Sequence, residues 1–131
     1  MRSAKIYITA ICCLTAGMLL YAVFRTDIWF VHRLGLDHFY HMHLNTDNPI
    51  LYWLVYCLPD GLWYMALLLL QHRFTQKESL VSRWCLYAAV ALPFLLEGMQ
   101  AMGWLFGTCD YRDILTYLFT LILFLCVRKK L

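Results

Sequence analysis

The residues best suited to chemistry are carboxyl and amide side chains inside or at the ends of long apolar stretches. They are Asp60, Glu97, Gln100, Asp110 and Asp113. A lone acid in the middle of a membrane span costs about 2.5 to 3.5 kcal/mol on insertion scales, so it normally faces a partner or a wet cavity. Ligand binding, general acid/base catalysis and structural hydrogen bonding are all open to such a set.

Glu97 belongs to a polar stripe within an apolar run at 84–106. In a helix, Pro93, Gln100 and Trp104 would share its face, because they lie three, four or seven residues away. We expect this stripe to point into a bundle of helices. Glu97 then has one of two roles. It either holds neighbouring helices together as a protonated or hydrogen-bonded packing residue, or lines a small pocket open to the outside.

Two further acids, Asp110 and Asp113, flank the start of the last apolar run. An acid at the N-cap with a second acid three residues later resembles a capping box, and both favour the positive end of the helix dipole. The alternative is a binding role, because the short turn 107–109 returns these acids to the membrane depth of Glu97, with Arg112 between them. Convergence of this kind predicts one pocket formed by Asp60, Glu97, Gln100, Asp110, Arg112 and Asp113.

Asp60 follows Pro59 and precedes Gly61 in the middle of an apolar run. This pattern is typical of a broken membrane helix, which is tolerated only where protein or a water-filled cavity covers the irregular backbone. A plain turn between an interfacial helix at 49–58 and a short span at 61–72 is the other interpretation. In both, Asp60 lies on the outer side, within reach of an arginine such as Arg33 or Arg112.

The elements that must position these residues are membrane helices. Of the 131 residues, 63% are hydrophobic and 15% are charged, and the mean hydropathy is +0.61, whereas a soluble domain has about 25% charged residues. A span needs about 20 apolar residues. Residues 1–131 therefore form one all-α integral membrane domain, predicted as a four-helix transmembrane bundle with a broken second span. The expected spans are about 5–24, 49–71 (broken at 59–61), 84–106 and 113–127.

The charges predict an orientation. With four spans, eight of the 11 basic residues lie on one side: Arg2, Lys5, Arg73, Lys77, Arg83, Arg128, Lys129 and Lys130. Arg25, Arg33 and Arg112 lie on the other side. The positive-inside rule then places both termini in the cytoplasm of a multi-pass protein of the inner (plasma) membrane. The polar site would face outward.

Several function classes are excluded or disfavoured. The net charge of +3 is scattered over loops, so no basic face predicts a nucleic-acid partner. The six cysteines lack CxxC spacing, which argues against a disulfide framework or a zinc ribbon. His38, His41 and His43 are possible ligands in the first external loop, but they match no recognised metal motif and also suit the membrane interface. No cofactor and no metal site is predicted.

Part of the chain resembles a known family. Glu97 and Gln100, followed by GTCDYRDILTY at 107–117, are similar to the E-x-x-Q … D-x-x-D core of the VanZ-like family of small bacterial membrane proteins. LPDGLW at 58–63 also resembles a motif of related four-span proteins. The family is named for a member associated with resistance to a glycopeptide antibiotic, so the resemblance implies a cell-envelope role. It also implies that Glu97, Gln100, Asp110 and Asp113 form a polar core.

Three functions remain open at this point. The favoured one is a non-enzymatic envelope protein in the lipid bilayer whose pocket binds a lipid headgroup, a cell-wall lipid intermediate or a glycopeptide-like ligand. A membrane-embedded hydrolase or transferase using carboxylates and a histidine is the second, although no Ser-His, Cys-His or di-metal spacing supplies a nucleophile. The third is a structural subunit with a protein partner. The catalytic residues, if any, are unknown.

Overall fold

The structure is a computed structural model that describes residues 2–24, 33, 48–75, 79–105 and 109–128. Within these ranges it contains four helices and no strand. We number them α1 (Arg2–Phe24), α2 (Pro49–Thr75), α3 (Leu80–Ala101) and α4 (Tyr111–Arg128). The all-α prediction is confirmed for the described part of the chain.

Helix α2 is the centre of the bundle and packs against α1, α3 and α4. The core joins Ile6 and Ala10 of α1, Tyr64 and Leu68 of α2, and Phe124 of α4, all of which are buried. The other three helices therefore depend on α2 for most of their packing.

The outer helices bury only narrow faces. Helix α3 buries Ala89, Pro93 and Glu97, and α4 buries a second set with the same spacing of four residues, namely Thr116, Thr120 and Phe124. Large apolar side chains cover much of the outside, including Leu19, Trp84, Leu95 and Ile122. Soluble monomers rarely expose apolar patches of that extent, and such a surface suits contact with lipid.

Three helices are long and apolar enough to cross a membrane: the Ala4–Phe24 part of α1, α2 and α3. Helix α4 is not among them. It has only 18 residues and carries Arg112, Asp113 and Arg128. At about 1.5 Å per residue such a helix falls slightly short of a hydrocarbon core of about 30 Å, so the fourth span stays a prediction.

The predicted break at 59–61 is wrong in position, because these residues are α-helical. The irregularity in α2 lies one turn earlier. Residues Pro49–Tyr52 are α-helical, Trp53–Cys57 form a π-helical segment, and Leu58–Thr75 are α-helical again. Proline has no N–H, so Pro59 cannot bond the carbonyl of Val55, and a wider π turn before it absorbs the loss without ending the helix.

Close contacts replace the expected turn around Gly61. A Cβ at Gly61 would lie 2.7 Å from Thr116 Cγ2 and 3.1 Å from Thr120 Oγ1 of α4. On the other side of α2, a Cβ at Gly17 of α1 would collide with the Trp63 ring. Glycines at these two positions let the helices approach closely, as small residues do in membrane bundles.

The ends of α3 differ from the predicted 84–106. The helix begins at Leu80 because the Ser79 side chain accepts a hydrogen bond from Ser82 N at 3.1 Å and caps it. It ends at Ala101, just before Gly103, which has a positive φ of 72°. The prediction that Trp104 shares the face of Glu97 is therefore wrong, since Trp104 lies beyond the helix and is 70% exposed.

Candidate functional site

A cavity of about 540 Å³ lies at one end of the bundle. The C-terminal parts of α1 and α3 and the N-terminal parts of α2 and α4 meet there, because residues from all four line it. We call it the polar cavity. Its lining residues are Tyr21, Tyr52, Tyr56, Asp60, Leu96, Glu97, Gln100, Asp110, Asp113 and Tyr117.

Five of the six residues predicted for a pocket line the polar cavity: Asp60, Glu97, Gln100, Asp110 and Asp113. They come from three helices and the segment before α4, and four of them are carboxyl groups. The structure thus brings these residues together as the sequence predicted. Their role as ligand-binding residues stays a prediction.

Glu97 is the most buried acid of the polar cavity, with 7% of its surface exposed. Its carboxylate accepts hydrogen bonds from the backbone N–H of Asp110 and the thiol of Cys109. The second oxygen, Oε2, is buried and receives no hydrogen bond from the described residues. A buried acceptor without a donor costs about 1 to 3 kcal/mol, and more when it is charged.

Asp60 is fixed by α1. The Tyr21 hydroxyl donates a hydrogen bond of 2.6 Å to Asp60 Oδ1. Tyr21 itself is buried, and its ring stacks on Trp63 with centroids 4.8 Å apart and planes 13° apart. This contact ties the end of α1 to α2 at the cavity wall.

Asp110 has two roles at once. Its Oδ1 accepts a hydrogen bond of 2.9 Å from the backbone N–H of Arg112, which caps the first turn of α4. Its Oδ2 lies 3.4 Å from the Tyr52 hydroxyl, which donates to it across the cavity wall. The capping interpretation is confirmed for Asp110, and it does not remove this residue from the polar cavity.

Arg112 does not line the polar cavity, so this part of the pocket prediction is wrong. Its guanidinium lies over the outer side of the cavity wall, 4.4 Å from the centroid of the Tyr52 ring. That position gives a cation–π contact. The side chain faces a neighbouring groove that Trp53 and Thr116 also line. Arg33, the other predicted cation, is exposed.

A hydrogen-bonded chain positions the start of α4 against the π-helical segment of α2. Trp53 Nε1 donates to Thr116 Oγ1 at 2.8 Å, and Thr116 Oγ1 donates to the carbonyl of Arg112 at 2.9 Å. Trp53 is next to Tyr52 in α2, and Arg112 is two residues after Asp110. The hydrogen-bonded chain therefore helps to fix the spacing between Tyr52 and Asp110 at the cavity wall.

Cys57 is also part of the arrangement, which the sequence did not indicate. It is 1% exposed, and its thiol hydrogen-bonds to the carboxylate of Asp113. A cysteine in an apolar run commonly acts as a small hydrophobic residue. Here the thiol instead supplies a donor to a cavity acid.

Sequence reasoning also missed three tyrosines of the cavity wall, Tyr21, Tyr52 and Tyr56. Tyr56 precedes Asp60 by four residues, so a helical reading of that stretch could have found it, and Tyr52 lies four residues further back. Their rings stack with centroids 4.8 Å apart. No comparable signal marks Tyr21, which meets Asp60 only in the folded chain.

Among the residues that the structure describes, no group of three histidine, cysteine or acidic side chains could hold a metal ion. The loop histidines His38, His41 and His43 lie outside the described ranges. His72, the one histidine with a described side chain, packs edge-on against Phe124 at 5.8 Å, far along α2 from the cavity.

Comparison of the chain with family models, curated proteins and solved structures found no match. The resemblance to the VanZ-like family therefore stays a prediction.

Proposed function

We propose that this chain is a multi-pass protein of the bacterial cell envelope whose polar cavity binds a polar ligand at the outer surface of the membrane. The ligand classes that fit are those with a polar group and an apolar carrier, such as a lipid headgroup or a cell-wall lipid intermediate, or a glycopeptide-like molecule. The proposal includes α4 as a fourth span, with both termini in the cytoplasm.

One observation carries this proposal: Glu97 lines the polar cavity, and its buried Oε2 receives no hydrogen bond from the described residues. The hydrogen bonds that Glu97 accepts from the Asp110 N–H and the Cys109 thiol join α3 to the segment before α4. A packing role of this kind leaves the unpaired Oε2 unexplained, because buried polar groups are normally hydrogen-bonded. The volume of about 540 Å³ also falls within the range of about 300 to 1,000 Å³ that is usual for small-molecule sites.

The distribution of the arginines favours an orientation in which the cavity lies on the outer side. The end of the bundle that holds the cavity is opposite the ends that carry Arg73, Arg83 and Arg128. The positive-inside rule places those arginines in the cytoplasm, and the cavity then opens toward the outer leaflet.

The histidine-dependent enzyme gains no support from the described residues. His72 lies far from the polar cavity, and general acid/base catalysis requires groups within about 3 Å of the reacting atom.

Native mass spectrometry of the full-length protein tests the proposal. After purification in a mild detergent, the wild-type protein should carry a lipid or small-molecule adduct that the Glu97→Gln variant loses. Gly98→Ala is the matched control, because Gly98 is the next residue on α3 and a Cβ there meets nothing within 4 Å. It should keep the adduct.

Two results would contradict the proposal. An adduct that persists in Glu97→Gln would mean that the ligand binds outside the polar cavity. A wild-type protein free of any adduct would refute the binding function. A stoichiometric second protein in the same spectra would favour the structural-subunit function instead.

A further inference from the structure

We propose that the polar cavity binds a primary ammonium group, carried either by a lipid headgroup or by a free amine. This inference rests on the proposed function, since it names the chemistry of the ligand for the same site.

The charge of the cavity favours a cation. Four carboxyl groups line it, and its described lining contains no lysine, arginine or histidine. The guanidinium of Arg112 lies 4.4 Å from the centroid of the Tyr52 ring and is not part of the cavity lining. Carboxylates that share a low-dielectric site repel one another, and a bound cation relieves that repulsion.

The hydrogen bonds favour a cation that carries N–H groups. Asp60 already accepts from Tyr21, and Asp110 accepts from Tyr52 and from a backbone amide. Oε2 of Glu97, in contrast, is buried and receives no hydrogen bond from the described residues. A primary ammonium offers three donors and can satisfy this oxygen, whereas a quaternary ammonium has no N–H to donate.

The walls favour an organic cation over a metal ion. Four tyrosines, Tyr21, Tyr52, Tyr56 and Tyr117, line the cavity beside the acids. Aromatic rings attract ammonium groups through cation–π contacts. The described acids and cysteines also form no group of three that could coordinate a metal.

The first arm of the test compares two soluble cations. The full-length protein is placed in phosphatidylcholine nanodiscs, which contain no primary amine, and its melting temperature is measured against ethylammonium chloride or tetramethylammonium chloride at equal ionic strength. We expect a saturable rise with ethylammonium and a much smaller rise with tetramethylammonium, because both can contact the tyrosine rings but only ethylammonium donates hydrogen bonds.

The second arm identifies the source of the ammonium group by replacing phosphatidylcholine with phosphatidylethanolamine. A lipid ligand should raise the melting temperature in these discs and remove the further effect of ethylammonium. A free amine as ligand should leave the two kinds of disc equivalent, with ethylammonium acting in both. Either pattern supports the ammonium inference.

Cavity variants show whether the effect belongs to this site. Loss of a charge-assisted hydrogen bond in Glu97→Gln should weaken ethylammonium binding by about tenfold to hundredfold, while Gly98→Ala should respond as the wild type does. Asp113→Asn serves as the second cavity variant. It keeps an acceptor for the Cys57 thiol and removes one charge, so it should also weaken binding.

Equal effects of the two cations, or no effect of any amine on the wild-type protein, would overturn the inference even if neither cavity variant folds. Failure of the ammonium inference can be distinguished from failure of the proposed binding function. An adduct without an amine in the native mass spectrum, together with no response to ethylammonium, would refute the ammonium ligand and leave the binding function in place.

Discussion

Replacing Gly61 by alanine tests the close packing of α2 against α4. The new Cβ would lie 2.7 Å from Thr116 Cγ2 and 3.1 Å from Thr120 Oγ1. Thr116 cannot turn away freely, because its Oγ1 accepts from Trp53 and donates to the Arg112 carbonyl. We therefore expect the substitution to strain the interface and to disturb this hydrogen-bonded chain.

The magnitude follows from three contributions. Overpacking of a filled interface costs about 1 to 3 kcal/mol, and loss of the hydrogen bond from Trp53 to Thr116 costs about 0.5 to 1.5 kcal/mol. Replacing a helical glycine by alanine gains about 0.5 to 1 kcal/mol. Gly61→Ala should then lower the free energy of unfolding by about 0.5 to 4 kcal/mol.

Gly98→Ala provides the matched control, since a Cβ there meets nothing within 4 Å. It keeps the gain in helix propensity without the strain, so it should stabilise the protein by about 0.5 to 1 kcal/mol. The difference between the two variants cancels the propensity contribution and should be about 1.5 to 4.5 kcal/mol.

The assay is reversible unfolding in mixed micelles by titration with dodecyl sulfate, followed by far-ultraviolet circular dichroism. A third protein, Gly61→Ala combined with Thr116→Ser, removes the methyl group that collides and keeps the hydroxyl, so it should recover much of the lost stability. Equal stability of Gly61→Ala and Gly98→Ala would refute the reasoning.

Three further predictions concern the site and the topology. Tyr21→Phe removes the donor to Asp60 and should lower the free energy of unfolding by about 1 to 3 kcal/mol, whereas Tyr87→Phe, at a side chain 63% exposed, should leave it unchanged; equal losses would mean that the bond to Asp60 contributes nothing. Partial desolvation and the charge of Glu97 raise the pKa of the Cys109 thiol, so its alkylation by maleimide should be slow at neutral pH and faster at higher pH. In Glu97→Gln the alkylation at neutral pH should be faster than in the wild type. An unchanged pH profile in that variant would mean that Glu97 does not influence the Cys109 thiol. A reporter fused to the C-terminus should be active in the cytoplasm and one inserted at 106–112 outside it, while a C-terminal reporter active outside would mean that α4 does not cross.

The convergence of the acids could be predicted because each is costly in an apolar run on its own. The position of Glu97 inside an apolar run and the acids at the start of α4 are both visible in the sequence, and the short connection between α3 and α4 brings them together. Polar groups at the same depth of neighbouring membrane helices are expected to share one site, because a separate lipid-facing position would leave each of them unpaired.

The tyrosine walls and the position of Arg112 could not be predicted in the same way. They depend on the rotation of each helix about its own axis, which is decided by packing against α2 rather than by the apolar pattern. Tyr21, for example, meets Asp60 because Gly17 lets α1 approach the Trp63 ring. The LPDG sequence was also ambiguous, because proline within a helix can either end it or be absorbed by the turn before it.

The π-helical segment Trp53–Cys57 has a consequence for the angular phase of α2. Tyr52 and Asp60 are eight residues apart, which in a regular α-helix would separate their directions by about 80°. A π turn absorbs one residue, so the two directions come within about 20° of each other. Both side chains can then reach the same cavity. The number of residues in this stretch is therefore constrained, because a single insertion or deletion there would rotate Tyr52 by about 100° relative to Asp60, away from Asp110.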